Sequence, residues 1–89
     1  MELRLNGEVL TNRQQLHAAI AQQLHLPDYY GENLDALWDV LSSWNEPLQI
    51  VIENSSCMVS SLGSYGEAVL QLLQEAQEEN GMIGVEYKA

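Results

Sequence analysis

Positive charge is what this sequence has least of. Arg4, Arg13 and Lys88 are its only cations, against 13 Asp and Glu, so its 89 residues carry a net charge of −10. No Lys or Arg lies between Gln14 and Tyr87, whereas eleven carboxylates do. A polyanion repels phosphate backbones and anionic membranes alike, which argues against both nucleic acid and membrane as partners. Cysteine is almost missing too. Cys57 stands alone, so no internal disulfide forms and no oxidising compartment is required. No apolar run approaches the roughly 20 residues of a membrane-spanning helix. The first seven residues lack the basic and apolar blocks of a signal peptide, so a cytoplasmic protein is expected. Glycine-rich phosphate loops, paired CxxC, HExxH and the alternating ligands of a calcium loop are absent as well. No metal, cofactor or small-molecule substrate is expected, and no enzymatic activity.

What is present suffices for one small domain spanning 1–89. Hydrophobic residues make up 46% of the chain, enough for a core. Leu3 and Leu5 alternate with polar neighbours and predict a strand that Asn6-Gly7 turns, with Val9-Leu10 extending its far side. Thr11 to Gln14 fits a capping box, and the helix after it carries Leu16, Ala19, Ile20 and Leu24 inward until Pro27 ends it. Asn33 is a good N-cap for a second helix, with Leu34, Leu37 and Leu41 at helical spacing. Leu48 to Glu53 predicts a central strand, apolar enough to be covered on both faces. Asn54 to Gly63 reads as one helical turn or a loop with Met58, Val59 and Leu62 facing in. Ser64 to Glu67 fits another capping box, opening a long helix with Ala68, Val69, Leu72, Leu73 and Ala76 inward. Asn80-Gly81 closes it, and Ile83, Val85 and Tyr87 alternate in a last strand. Strands joined by helical crossovers predict an α/β fold: a three-stranded parallel sheet in a single layer, packed with helices.

Few residues offer chemistry. His17 reads as a hydrogen-bonded, partly buried side chain and His25 as a helix-end residue. Cys57 lacks the base and positive surround of a nucleophile and reads as a small packed residue. The second helix is different. Its apolar stripe points one way, while Asp35, Asp39 and Ser42 point the other with Trp38 on the border. Like charges at i, i+4 cost a few tenths of a kcal/mol, and Asp39 lies beyond the first turn, where the helix dipole offsets nothing. That face is either an ordinary solvated one or one that meets something outside the chain. Tyr29, Tyr30, Trp38 and Trp44 cluster around it. Aromatics beside exposed carboxylates resemble anchors in a charged binding surface, although Tyr30 and Trp44 suit the core equally well. The one-sided charge fits a basic partner, or simply an acidic, soluble surface.

The block from Leu26 to Leu41, Leu-Pro-Asp-Tyr-Tyr-Gly-Glu-Asn-Leu-Asp-Ala-Leu-Trp-Asp-Val-Leu, resembles the signature of the barstar family, intracellular inhibitors of the ribonuclease barnase. The resemblance extends to Asn6-Gly7-Glu8, Leu16-His17, Gly66-Glu67-Ala68-Val69-Leu70-Gln71 and Glu75-Ala76. It implies the same fold and a protein that plugs the active site of a basic, guanyl-specific ribonuclease with an acidic helix and the loop before it. The residues implied as partner contacts are Tyr29, Gly31 and Asn33 in the loop and Leu34, Asp35, Trp38 and Asp39 in the helix. Ser42, Trp44 and, from the long helix, Glu75 complete the set. In the family, the carboxylate matching Asp39 occupies a phosphate site of the enzyme. Asn45 to Ser64 departs from the family pattern, and Trp44 to Pro47 is one residue shorter. A different reading of the same features is an acidic interaction module, or an immunity protein of this fold for another basic toxin. An acyl carrier is ruled out by the strands and by the lack of a serine after an aspartate at a helix start.

Overall fold

The computed structural model describes residues 1–88. The elements run β1 (Glu2–Asn6), α1 (Arg13–Leu24), α2 (Leu34–Ser42), β2 (Leu48–Glu53), α3 (Ser55–Leu62), α4 (Ser64–Glu79) and β3 (Ile83–Lys88). The sheet order is β1-β2-β3 and both pairings are parallel, with Leu3 opposite Ile50 and Ile50 opposite Val85. This is the single-layer α/β arrangement expected from the strand–helix alternation.

The period-2 pattern sets which side faces the helices. Leu3, Leu5, Leu48, Ile50, Ile52 and Ile83 share one face and are buried against Leu16, Ile20, Leu37, Leu41, Met58, Val69 and Leu73. The opposite face is open to water, unlike most parallel sheets. Glu2, Arg4, Gln49, Glu86 and Lys88 stand on it exposed. The expected cover on both sides of β2 is therefore confined to Val51, which sits in register between Arg4 and Glu86 and is fenced by their longer side chains. A glutamine bonds one residue on each free sheet edge. The Gln23 amide accepts from Arg4 N–H and donates to Arg4 C=O, each at 2.8 Å, and Gln77 Oε1 accepts from Val85 N–H at 2.6 Å. Unpaired edge groups are a template for aggregation, and these side chains interrupt it at mid-strand.

Several local expectations shift. Val9 and Leu10 lie in the turn after β1 rather than extending it; Leu10 folds back into the core and Val9 is exposed. The N-cap of α1 is Asn12, not Thr11. Asn12 Oδ1 accepts from Gln15 N–H at 2.8 Å, and Gln15 Oε1 takes the Thr11 N–H and hydroxyl, so the cap sits one residue later. α1 stops before Pro27, at a left-handed His25 (φ 56) whose next residue, Leu26, donates to Ala21 C=O. That is the paired backbone closure usually made by glycine. Asn54 to Gly63, open between a turn and a loop in the sequence, forms a two-turn helix that buries Met58; Val59 and Leu62 are half-buried. No side chain caps α4, because Ser64 already lies inside it and Gly63 takes the cap position.

Two glycines let α3 settle. A Cβ on Gly7 would lie 2.1 Å from Asn54 O and 2.7 Å from Met58 N, and one on Gly66 would lie 2.8 Å from Met58 O. Real Cβ contacts do not occur at those distances, so any side chain there forces α3 away from β1 or α4.

Candidate functional site

The loop and helix singled out by the sequence lie together beside α4. Asn33 begins α2. Its Oδ1 accepts from Ala36 N–H at 2.8 Å, and its Nδ2 donates to Gly31 C=O at 3.1 Å. The Asn33 side chain is thus occupied within the chain, holding the loop against the helix start. Between Gly31 and Asn33, Glu32 takes a left-handed φ of 52. Such a conformation in a residue with a Cβ costs on the order of 1 kcal/mol and persists where the surroundings over-determine it. Tyr29 projects from this loop, 88% exposed.

Along α2, Asp35, Asp39 and Ser42 are exposed, Leu37 and Leu41 are buried, and Leu34 and Trp38 lie half-buried between them. Leu34 therefore leaves the inward stripe expected of it and reaches a groove of about 450 Å³ between α2 and α4. Half-buried Leu34, Trp38, Ala68 and Leu72 form its floor, and exposed Asp35, Asp39, Gln71 and Glu75 its rim. Three carboxylates from two helices thus surround an accessible apolar strip. The cations are engaged elsewhere. Arg4 pairs with Glu2 and Glu53, Lys88 with Glu86, and Arg13 stacks 4.1 Å over the Tyr65 ring. Among the described residues, no ion pair involves Asp35, Asp39 or Glu75.

Trp44 and Tyr30 are less exposed than their neighbours. Trp44 is half-buried against the core, its indole Nε1 buried without a hydrogen-bond partner among the described residues. Tyr30 turns inward to His17, which is 1% exposed. The imidazole Nδ1 lies 2.8 Å from the Tyr30 hydroxyl and Nε2 2.6 Å from the Tyr65 hydroxyl. Whichever nitrogen carries the proton, one hydroxyl donates to the ring and the other accepts from it. Burial holds the His17 pKa below its ordinary 6.5, against a smaller opposing pull from Glu32. Burial also pushes the Tyr30 phenol up to about 12. Buried His17 thereby links the loop to α1 and α4.

The sequence did not single out Ala68, Gln71 and Leu72 as site residues. The signal was available: with Glu75, they fall at helical spacing on one face of α4. No comparable signal marks Tyr65, whose role depends on a histidine 48 positions away.

With this geometry in place, comparison with known proteins defines the class first. A family model described as "Barstar (barnase inhibitor)" matches residues 1–89. The chain belongs to the barstar family. It is also similar to a Bacillus subtilis (strain 168) protein named "Putative ribonuclease inhibitor YrdF", with 46% identity over 76 residues, or 84% of each chain. Family membership agrees with the fold observed and with the resemblance carried by Leu26 to Leu41. No helix among the described residues is long and apolar enough to cross a membrane, and none of their His, Cys, Asp or Glu side chains cluster as metal ligands.

Proposed function

We propose that this chain inhibits a barnase-type, guanyl-specific ribonuclease by laying α2 and the loop before it into the enzyme's RNA cleft. The observation that carries the proposal is the groove in which Asp35, Asp39 and Glu75, in no ion pair among the described residues, surround the half-buried face of Trp38. A ribonuclease must hold cations where its substrate's phosphates sit. Carboxylates carried on a rigid helix meet those cations already in place, so little reorganisation opposes binding. Asp39 takes the phosphate position. This gives a role to a charge that Asp35 disfavours within the helix. Tyr29 and Trp38 supply rigid apolar area, Gly31, Asn33 and Leu34 shape the backbone between them, Glu75 stands on the groove rim, and Ser42 and half-buried Trp44 lie beyond it. The net charge of −10 steers encounter with a basic enzyme, and close charge pairs slow release. Both effects are known from the barnase–barstar complex itself.

The test is titration of a barnase-type ribonuclease, and of basic ribonucleases from the source organism, with the purified chain. Activity should fall linearly to near zero at one equivalent, with the enzyme recovered uncleaved and unmodified. Absence of inhibition across all of them refutes the proposal. Capture of a basic toxin that is not a ribonuclease would assign the fold to another target.

A further inference from the structure

Leu37 and Leu41 of α2 share one apolar core with Leu73 and Ala76 of α4, and such packing fixes the helix crossing only to within about 15–20°. Directional bonds at the α2 C-terminus come from the end of α4. Asn80 Nδ2 donates to Leu41 C=O at 2.9 Å and to Trp44 C=O at 2.8 Å, while its Oδ1 accepts from Met82 N–H at 3.0 Å. Leu41 C=O belongs to the last turn of α2, outside the helix ladder, and its backbone bond from Trp44 N–H is long, 3.3 Å. One half-buried amide therefore clasps both sides of the 41–44 turn and ties it to the start of β3.

We infer that Asn80 is a positioning residue for inhibition. By clasping the 41–44 turn, it sets the tilt and register of α2 on α4, and so the spacing of Asp35 and Asp39 from Glu75 across the groove. The inference rests on the reading of α2 as the inhibitory face. Asn80 itself is half-buried and lies outside the groove lining. In the sequence it reads only as a helix terminator, and its backbone is extended rather than left-handed, so its side chain is what the position uses.

Two variants separate this role from general stabilisation. Asn80→Ala removes all three bonds without changing the net charge. Asn80→Asp keeps the acceptor for Met82 N–H but sets a carboxylate against two carbonyl oxygens. Both should remain folded at low temperature by circular dichroism. Dissociation of the inhibited ribonuclease should accelerate about tenfold while association changes less than about twofold, since lost positioning appears in the off-rate. The effect should shrink below about threefold in an Asp39→Ala background, and persist in a Tyr29→Ala background, because only the former acts through α2. Independently of any enzyme, backbone hydrogen exchange should speed selectively in α2 and at Trp44, leaving Ile50 to Ile52 unchanged. Uniform or unchanged exchange overturns the positioning role, as does an off-rate equal to wild type. If the wild type binds no ribonuclease while α2 exchange still rises selectively, the clasp stands and the inhibitory reading falls.

Discussion

Asp39→Ala should make the protein more stable and a far worse inhibitor. The side chain is exposed in the middle of α2 and takes part in no ion pair among the described residues. The bond that Ser43 Oγ makes at 2.7 Å goes to the Asp39 backbone carbonyl and survives the substitution. Removing the carboxylate relieves about 0.3 kcal/mol of repulsion from Asp35. Replacing Asp by Ala in a helix interior adds about 0.6 kcal/mol of propensity. A gain near 1 kcal/mol raises the Tm of a domain this size by about 4–8 °C. Binding moves the other way. A cation in the partner's cleft is left buried without its counter-charge, a loss of about 2–5 kcal/mol. That corresponds to about 30- to 4,000-fold in Kd. Most of it should appear as faster dissociation, since one charge among many contributes little to steering. Asp35→Ala and Glu75→Ala should cost less. The first lies in the helix's first turn, where the dipole meets part of its charge, and the second meets the rim. Paired thermal unfolding and dissociation measurements decide. Wild-type binding by the variant, or loss of binding together with a fall in Tm, refutes the phosphate-mimic assignment.

Association with the ribonuclease should slow at least about tenfold between low and near-molar salt, as the Debye length shrinks from roughly 10 Å at 0.1 M to 3 Å at 1 M. A flat stopped-flow rate would show that the acidic face does not steer. Stability should also depend on pH through His17. Burial holds its folded pKa below the unfolded 6.5, so the unfolded chain binds the proton more tightly. The contribution is complete above pH 6.5 and is lost as pH falls through the folded value. Urea unfolding from pH 7.5 downwards should show this decline and a shallower one in His17→Gln; equal slopes would remove His17 as the cause. Gly7→Ala should destabilise by about 2–3 kcal/mol because its Cβ has no room beside Asn54 and Met58, whereas Gly81→Ala, with open space around it, should change stability by less than about 0.5 kcal/mol. Equal urea midpoints for the two variants would refute the close approach of β1 and α3.

Local pattern determined much of this protein. Alternation in Leu3 and Leu5, the β-branched run of Leu48 to Glu53 and the helical spacing of Leu37 and Leu41 each report on a neighbour one or two turns away. A single chain carries that information directly. The acidic face of α2 was legible for the same reason, since Asp35, Asp39 and Ser42 share a side of one helix whatever packs behind it. Tertiary structure decided what depends on approach between distant segments. The helix Ser55–Leu62 packs where it does because Gly7 and Gly66 leave it space, and neither glycine lies within that segment. Leu34, Ala68 and Leu72 carry inward-facing spacing, yet they line an open groove, because two helices side by side do not seal the seam between them. The caps moved by one residue at α1 and vanished at α4, since several polar residues in a row compete for the same N–H groups and only the packed backbone selects among them. His17 between two tyrosines and Asn80 on the 41–44 turn are long-range contacts. Each joins residues at least 13 positions apart, and hydrogen bonds between such residues follow no sequence period.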